Sequence, residues 1–321
     1  MTLNPTFPIF DRLPASGDIR AAIHADLFAT SASISPRYFY DAMGCVLYEA
    51  ITHLPEYYPT QTEIAILRDA TSTIASELGI GRQLIDLGSG DSVKAAKLLL
   101  PLKCASYLAV DIARSAIASA LPKLAKIAPH VTLSGVVTDF ASKLDLEGTL
   151  SEAPRLFFYP GSSIGNFDPA AALGFLQRIR AHCRTHKDAL LIGVDSVKDC
   201  ARLNLAYDDP LGVTAAFNLN VLRHLNAVAD TNFDVAQWKH LGFFNSAASR
   251  IEMHLEARAA LTVRVGSGQR QFSAGERIHT ENSYKYTRKS FAAQLRDAGF
   301  GVGHYFTDAA TDFHVFLAHA A

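Results

Sequence analysis

The residues Asp86-Leu87-Gly88-Ser89-Gly90-Asp91 carry the first legible chemistry of this 321-residue chain. Two glycines one residue apart let a backbone turn tightly and let a ligand approach it closely. The apolar run before them and the helical pattern through Lys94, Ala95 and Leu98 after them place that turn at the carboxyl edge of a sheet, where open α/β folds bind cofactors. Asp111 lies 23 residues beyond Gly88, at the end of the next apolar run, where a carboxylate accepts hydrogen bonds from both hydroxyls of a ribose. Asp139-Phe140 ends the third run, a carboxylate and a ring suited to an adenine's amino group and face. Two ligands compete for this pattern. A dinucleotide fingerprint needs a third glycine at position 93, which is Val93. S-adenosylmethionine has no phosphate to cradle and needs only the two glycines and the two acidic strand ends, so the pattern favours it; a Gly-x-Gly without those carboxylates would be only a tight turn.

Those residues are positioned by a βα rhythm that begins at residue 83. Apolar segments at 83–87, 107–110, 131–137, 156–159 and 189–194 alternate with helical patterns, which predicts a parallel sheet covered by helices on both faces. A helix over 290–298 precedes two apolar segments, 301–306 and 313–318, around a polar turn with Asp308 and Asp312, the pattern of an antiparallel hairpin. A parallel sheet closed by such a hairpin suits a class I methyltransferase better than a dehydrogenase. Before residue 83 the chain reads as helical: Ile19, Ile23 and Leu27 recur at helical spacing, residues 40–54 are closed by Pro55, and Thr60-Gln61-Thr62-Glu63 has the form of a capping box ahead of a helix ending at Gly79. Between 198 and 275 the rhythm breaks, with a helix through Val213, Phe217, Val221 and Leu225, an alternating strand through Ile251, Met253 and Leu255, and a hairpin at 261–268. The expected organisation is therefore α/β: a methyltransferase domain from 62–197 and 287–321, and a discontinuous α+β substrate-binding domain from 1–61 and 198–286.

Composition narrows the function. Thirty Lys and Arg against 31 Asp and Glu leave a net charge of −1, with no basic field for nucleic acid or anionic membrane. Hydrophobic residues at 49% and charged residues at 19% supply a sizeable core and exclude a disordered chain. No apolar run approaches the ~18 residues of a membrane span, and the Pro-containing start does not read as a secretory signal. Cys45, Cys104, Cys183 and Cys200 are widely spaced, so a reducing cytoplasm is expected rather than a disulfide framework. His182 and His186 are four residues apart but lack a third ligand, and no metal is expected.

Six segments in order then carry a resemblance: Ser35-Pro36-Arg37-Tyr38-Phe39-Tyr40-Asp41, Leu54-Pro55-Glu56-Tyr57-Tyr58-Pro59-Thr60, Asp86-Leu87-Gly88-Ser89-Gly90, Gly161-Ser162-Ser163-Ile164-Gly165-Asn166, Tyr207-Asp208-Asp209 and Glu281-Asn282-Ser283. From about residue 15 to the C-terminus the chain resembles the histidine-specific Nα-methyltransferases of ergothioneine biosynthesis, which trimethylate L-histidine to hercynine. The resemblance implies S-adenosylmethionine as cofactor, bound by Gly88, Lys94, Asp111, Asp139 and Phe140. For the amino acid it implies Tyr57, Asn166, Tyr207, Glu281 and Ser283 with the intervening Asn282, and Gly161 and Met253 lining the site.

A carboxylate at 281 suits an imidazole N–H, because a buried acceptor left unpaired rejects side chains that cannot donate. Ser283, two residues on and on the same side of a strand, suits the other ring nitrogen. Tyr40 is the catalytic candidate, contacting the amine directly or through water; the methyl of a sulfonium needs alignment and desolvation more than a strong base. Taken singly, Tyr40, Tyr57 and Met253 would be packing residues and Asn166 a turn former. A related Nα-methyltransferase acting on another amino acid, and a non-catalytic S-adenosylmethionine-binding module, remain as alternatives.

Overall fold

The structure, a computed structural model, describes residues 7–13 and 16–321. Its strands are β1 (Ile9–Asp11), β2 (Gln83–Leu87), β3 (Ser106–Asp111), β4 (Thr132–Val137), β5 (Arg155–Tyr159), β6 (Ala189–Asp195), β7 (Trp238–Asn245), β8 (Arg250–Ala257), β9 (Leu261–Val265), β10 (Gly268–Phe272), β11 (Arg277–Tyr284), β12 (Phe300–Thr307) and β13 (Phe313–Ala320). Its α-helices are α1 (Ser16–Phe28), α2 (Ala42–Thr52), α3 (Tyr58–Leu78), α4 (Val93–Leu99), α5 (Arg114–Ile127), α6 (Pro169–Ala181), α7 (Cys200–Tyr207), α8 (Val213–Val228) and α9 (Arg288–Asp297). The chain forms two compact units, the first from residues up to 13, 59–197 and 285–321, the second from 14–58 and 198–284.

The first unit is built on an eight-stranded sheet of order β1-β4-β3-β2-β5-β6-β13-β12. The pairs from β1 to β6 are parallel, β13 runs antiparallel to β6, and β12 antiparallel to β13. This is the class I methyltransferase sheet. All residues of β2, β5 and β6 are buried, as central parallel strands covered on both faces must be. From β2 the chain fills one side with β3 and β4, then crosses to β5 and β6 on the other. The carboxyl ends of β2 and β5 therefore flank the switch point at which such sheets bind ligands.

The N-terminus departs from expectation. The sequence places residues 7–13 with the substrate-binding domain, yet Ile9–Asp11 extends the first unit's sheet, pairing with β4 and anchored by Gly135 N to Pro8 O at 2.9 Å and Arg12 N to Val137 O at 2.8 Å. Three residues between prolines carry no periodicity that announces a strand. The capping box at Thr60–Glu63 is also not formed: α3 starts at Tyr58 with Pro59 in its first turn, where a missing N–H costs nothing, so Thr60 is already helical. A reciprocal cap exists instead at α9, where Thr287 Oγ1 accepts from Ser290 N and Ser290 Oγ accepts from Thr287 N.

The second unit packs α1, α2, α7 and α8 with an antiparallel sheet of order β11-β8-β7 and a separate β9–β10 hairpin. Its core joins Ile23, Leu27, Phe39, Tyr57, Tyr207, Phe217, Val221, Trp238, Met253 and Ile278. β11 pairs His279 with His254 but Glu281 with Met253, a bulge at Thr280. The bulge resets the alternation, so Glu281 and Ser283 share the face of Met253 and Ile251.

Candidate active site

In the first unit, Gly88 follows β2 with φ 71°, and its N–H donates to Val110 O at 2.8 Å. Phe140 Cζ lies 3.7 Å from where a Cβ on Gly88 would sit, so the glycine keeps open an exposed backbone beside a half-buried ring. Phe140 packs edge-on to Tyr159 with centroids 5.9 Å apart. Asp111 ends β3, and its carboxylate accepts from the backbone, Oδ2 from Gly90 N at 2.8 Å and Oδ1 from Ala113 N at 2.9 Å, with the Ile112 N–H beside them. A carboxylate has about four lone-pair sites, so acceptor capacity for ribose hydroxyls is left after the backbone is served. Burial raises the Asp111 carboxyl above its ordinary value, against those backbone donors. Asp139, buried, lies in the loop just beyond the end of β4.

Asp86, the first residue of the motif, is buried at the end of β2. Its Oδ2 accepts from Tyr107 Oη at 2.8 Å, Tyr107 Oη lies 2.8 Å from Ser92 Oγ as well, and Asp86 Oδ1 has no hydrogen-bond partner. A phenol has one hydrogen, so with Asp86 ionised the Ser92 hydroxyl donates to Tyr107. Burial pushes the Asp86 carboxyl up to about 7, opposed by the Tyr107 hydrogen bond.

After β5 the chain turns through Gly161 and Ser162, with φ 79° and 57°, into a 3-10 turn, Ser163–Asn166. Ser162 Oγ accepts from Asp195 N at 2.9 Å, fixing this turn to the end of β6. Asn166 is half-buried at the end of the turn. Gly161 therefore stands with the cofactor candidates: the Lys94 ammonium lies 3.6 Å from where its Cβ would be. Lys94 itself is paired with Glu63 Oε2 at 2.5 Å. Glu63, outside the expected site, is a residue the sequence misled on, since its spacing from Thr60 pointed to a helix cap.

In the second unit, Tyr207 Oη and Ser283 Oγ lie 2.8 Å apart, both residues buried. Tyr57 packs edge-on to Tyr207 with centroids 6.0 Å apart. Burial, then neighbouring Tyr48, Tyr207 and Glu281, push the Tyr57 phenol well above its ordinary value, so it remains a protonated donor at neutral pH. Tyr48 hydrogen-bonds Tyr57 and meets Tyr40 edge-on at 6.0 Å. It is a member of this cluster that sequence reasoning missed, and its only signal was an i, i+8 relation to Tyr40 that core packing equally explains.

Tyr207 is held by its backbone: its carbonyl accepts from His240 Nε2 at 2.8 Å and sits 2.5 Å from where a Cβ on residue 242 would be, so β7 carries Gly242 there. Glu281 is 8% exposed and pairs across the sheet with Met253, itself 1% exposed.

The structure thus gathers Tyr40, Tyr57, Tyr207, Met253, Glu281 and Ser283 in one unit, and Gly88, Lys94, Asp111, Asp139, Phe140, Gly161 and Asn166 at the sheet edge of the other. Asn282 does not join the first group. It pairs with Glu252 on the opposite strand face, and its Oδ1 lies 2.9 Å from His279 Nε2. His182 caps the C-terminus of α6 with Nε2 2.9 Å from Leu144 O, and among the described residues no cluster of three His, Cys, Asp or Glu is arranged to hold a metal. No helix among them is long and apolar enough to cross a membrane.

Comparison with known proteins adds independent findings. A family profile described as histidine-specific, SAM-dependent methyltransferase matches residues 19–320. The histidine N-alpha-methyltransferase of Mycolicibacterium smegmatis is 39% identical over 311 residues, 95% of each chain. That of Mycobacterium tuberculosis is 38% identical over 310 residues, 94% of each. Ergothioneine biosynthesis protein 1 of Schizosaccharomyces pombe is 28% identical over 87% of this chain, which spans 38% of that longer protein.

Proposed function

The chain belongs to the histidine-specific, S-adenosylmethionine-dependent methyltransferase family, and from that premise we propose that it methylates the α-amine of L-histidine three times to give hercynine. The observation that carries the substrate is Glu281: a buried carboxylate beside the protonated Tyr57 phenol and a serine, in a unit separate from the sheet edge that suits the cofactor. A carboxylate in that setting is an acceptor for an imidazole N–H, and the Ser283 hydroxyl, paired with Tyr207, serves the other ring nitrogen. Apolar side chains offer this carboxylate no donor and so forgo the hydrogen bond that an imidazole N–H supplies.

The residues at the sheet edge fit S-adenosylmethionine. Asp111 keeps acceptor capacity, Gly88 holds backbone open beside Phe140, and buried Asp86 Oδ1 has no protein partner. When bound, S-adenosylmethionine supplies a methyl group activated by its positive sulfur. Asp111 accepts the ribose hydroxyls, Asp139 and Phe140 hold the adenine, and Lys94 and the Gly88 turn hold the amino-acid end. Within the second unit Tyr57 orients the substrate backbone, and Tyr207 supports both the carboxylate and Ser283. Tyr40 contacts the amine side and passes its proton to solvent, while the tyrosine faces tolerate the growing methylammonium through cation–π attraction. Four free thiols, Cys45, Cys104, Cys183 and Cys200, suit a reducing cytoplasm.

The test is a mass-spectrometric assay of the purified protein with S-adenosylmethionine against the twenty amino acids. Additions of one, two and three methyl groups to histidine alone support the reading; methylation of a different amino acid overturns the assignment of Glu281 while keeping the fold and cofactor.

A further inference from the structure

One carboxylate in the first unit gathers more contacts than a structural ion pair needs. Glu63 on α3 is 1% exposed. Its Oε2 accepts from Lys94 Nζ at 2.5 Å and from Gly161 N at 2.9 Å. Its Oε1 is buried without a hydrogen-bond partner, 1.9 Å from where a Cβ on residue 193 would sit, so β6 carries Gly193 there to make room for it.

The two donors belong to the two loops of the switch point. Lys94 lies in the first turn of α4, directly after the Gly88 turn, and Gly161 opens the turn after β5. No backbone hydrogen bond links those loops directly among the described residues. A mostly buried ammonium without a counter-charge is costly, and breaking a buried pair by removing one partner leaves that cost exposed. A single oxygen shared by an ammonium and a backbone N–H also fixes their separation to within hydrogen-bond tolerance.

We propose that Glu63 is a positioning residue for the cofactor: one buried carboxylate ties α4, through Lys94, to the turn after β5, through the Gly161 N–H, and so sets the spacing of the Gly88 and Gly161 loops. This rests on the reading that the edge binds S-adenosylmethionine. Glu63 touches neither substrate nor cofactor; it acts through Lys94 and Gly161. With its charge balanced, Lys94 orients the ligand rather than attracting it over a distance.

The experiment titrates the full chain with S-adenosylhomocysteine by calorimetry, beside steady-state kinetics and a thermal midpoint. The wild type must bind; if it does not, the cofactor reading itself falls. In Glu63→Gln the carboxamide still fills the space and can accept from Gly161, but it removes the carboxylate charge that Lys94 Nζ meets at 2.5 Å. Loss of a hydrogen bond to a charged group predicts roughly tenfold weaker S-adenosylhomocysteine binding and a matching rise in KM for S-adenosylmethionine, with KM for histidine unchanged. Glu63→Asp keeps the charge but is one methylene too short to serve both donors, and is expected to weaken the same two constants. A variant that binds S-adenosylhomocysteine as the wild type does, whatever its thermal midpoint, makes Glu63 merely structural and overturns the proposal while leaving the cofactor reading intact. Equal rises in KM for both substrates overturn it as well.

Discussion

Replacing Glu281 by Gln separates recognition from stability. Glu281 is 8% exposed and lies beside Tyr57, whose phenol is raised partly by that carboxylate. Gln matches the volume of the Glu281 side chain, so the denaturation midpoint, read beside the kinetics, separates a loss of recognition from a loss of fold. In the complex the same carboxylate accepts from an imidazole N–H. A hydrogen bond to a charged group contributes about 1.5–3 kcal/mol. At about 1.4 kcal/mol per factor of ten, kcat/KM for histidine should fall roughly 10- to 150-fold.

The assay is methyl transfer at saturating S-adenosylmethionine, run with histidine and with a ring-N-methylated histidine whose substituted nitrogen cannot donate. The wild type should prefer histidine over the analogue by a similar factor, and Glu281→Gln should erase most of that preference, because the bond it lacks is the one the analogue lacks. Equal losses on both substrates, or an unchanged kcat/KM for histidine, would refute imidazole recognition by Glu281.

Tyr207→Phe, Ser283→Ala and the double variant should show a coupling of about 1 kcal/mol in kcat/KM for histidine, since the two hydroxyls, 2.8 Å apart, act as one hydrogen-bonded pair; strict additivity would show independent roles. Asp86, its carboxyl pushed up to about 7 by burial, stays protonated in the fold where the unfolded chain has already ionised. The native state then holds the extra proton, so this residue lowers stability as pH rises from about 4 to about 7, by as much as ~4 kcal/mol. Asp86→Asn should therefore gain stability over the wild type at pH 7.5 but not at pH 4 in urea denaturation, and a constant difference across that range would contradict the account. Gly193→Ala would place a Cβ 1.9 Å from Glu63 Oε1 and 2.8 Å from the Phe313 ring. Overpacking of that kind costs roughly 1–3 kcal/mol or more, and a wild-type denaturation midpoint would show that the carboxylate has another place to go.

Local chemistry is what a sequence carries, and wherever local chemistry decides the outcome it was legible. The strand at 83–87 forms as β2 over those same residues, because an apolar run ending at Asp86-Leu87-Gly88 has few other uses in an α/β chain. Asp111 ends β3 and Asp139 lies just beyond the end of β4 because the βα repeat sets that spacing. The antiparallel β12–β13 pair follows from two apolar runs around one polar turn.

What depended on residues distant in sequence was not legible. Glu63 read as a helix cap from its nearest neighbours, whereas its partners lie 31 and 98 residues away. Tyr48 joins the cluster only because Tyr57, nine residues on and in the next helix approach, turns back to meet it. Asn282 sits between two inward-facing residues, and only strand pairing, with a bulge one residue earlier, decides which of the three faces outward. Sequence specified the fold class and which residue types do the chemistry, because periodicity and turn preferences act over a few residues. Tertiary packing alone decided which carboxylate meets which donor, because a hydrogen bond depends on tenths of an ångström between atoms that the chain brings together from far apart.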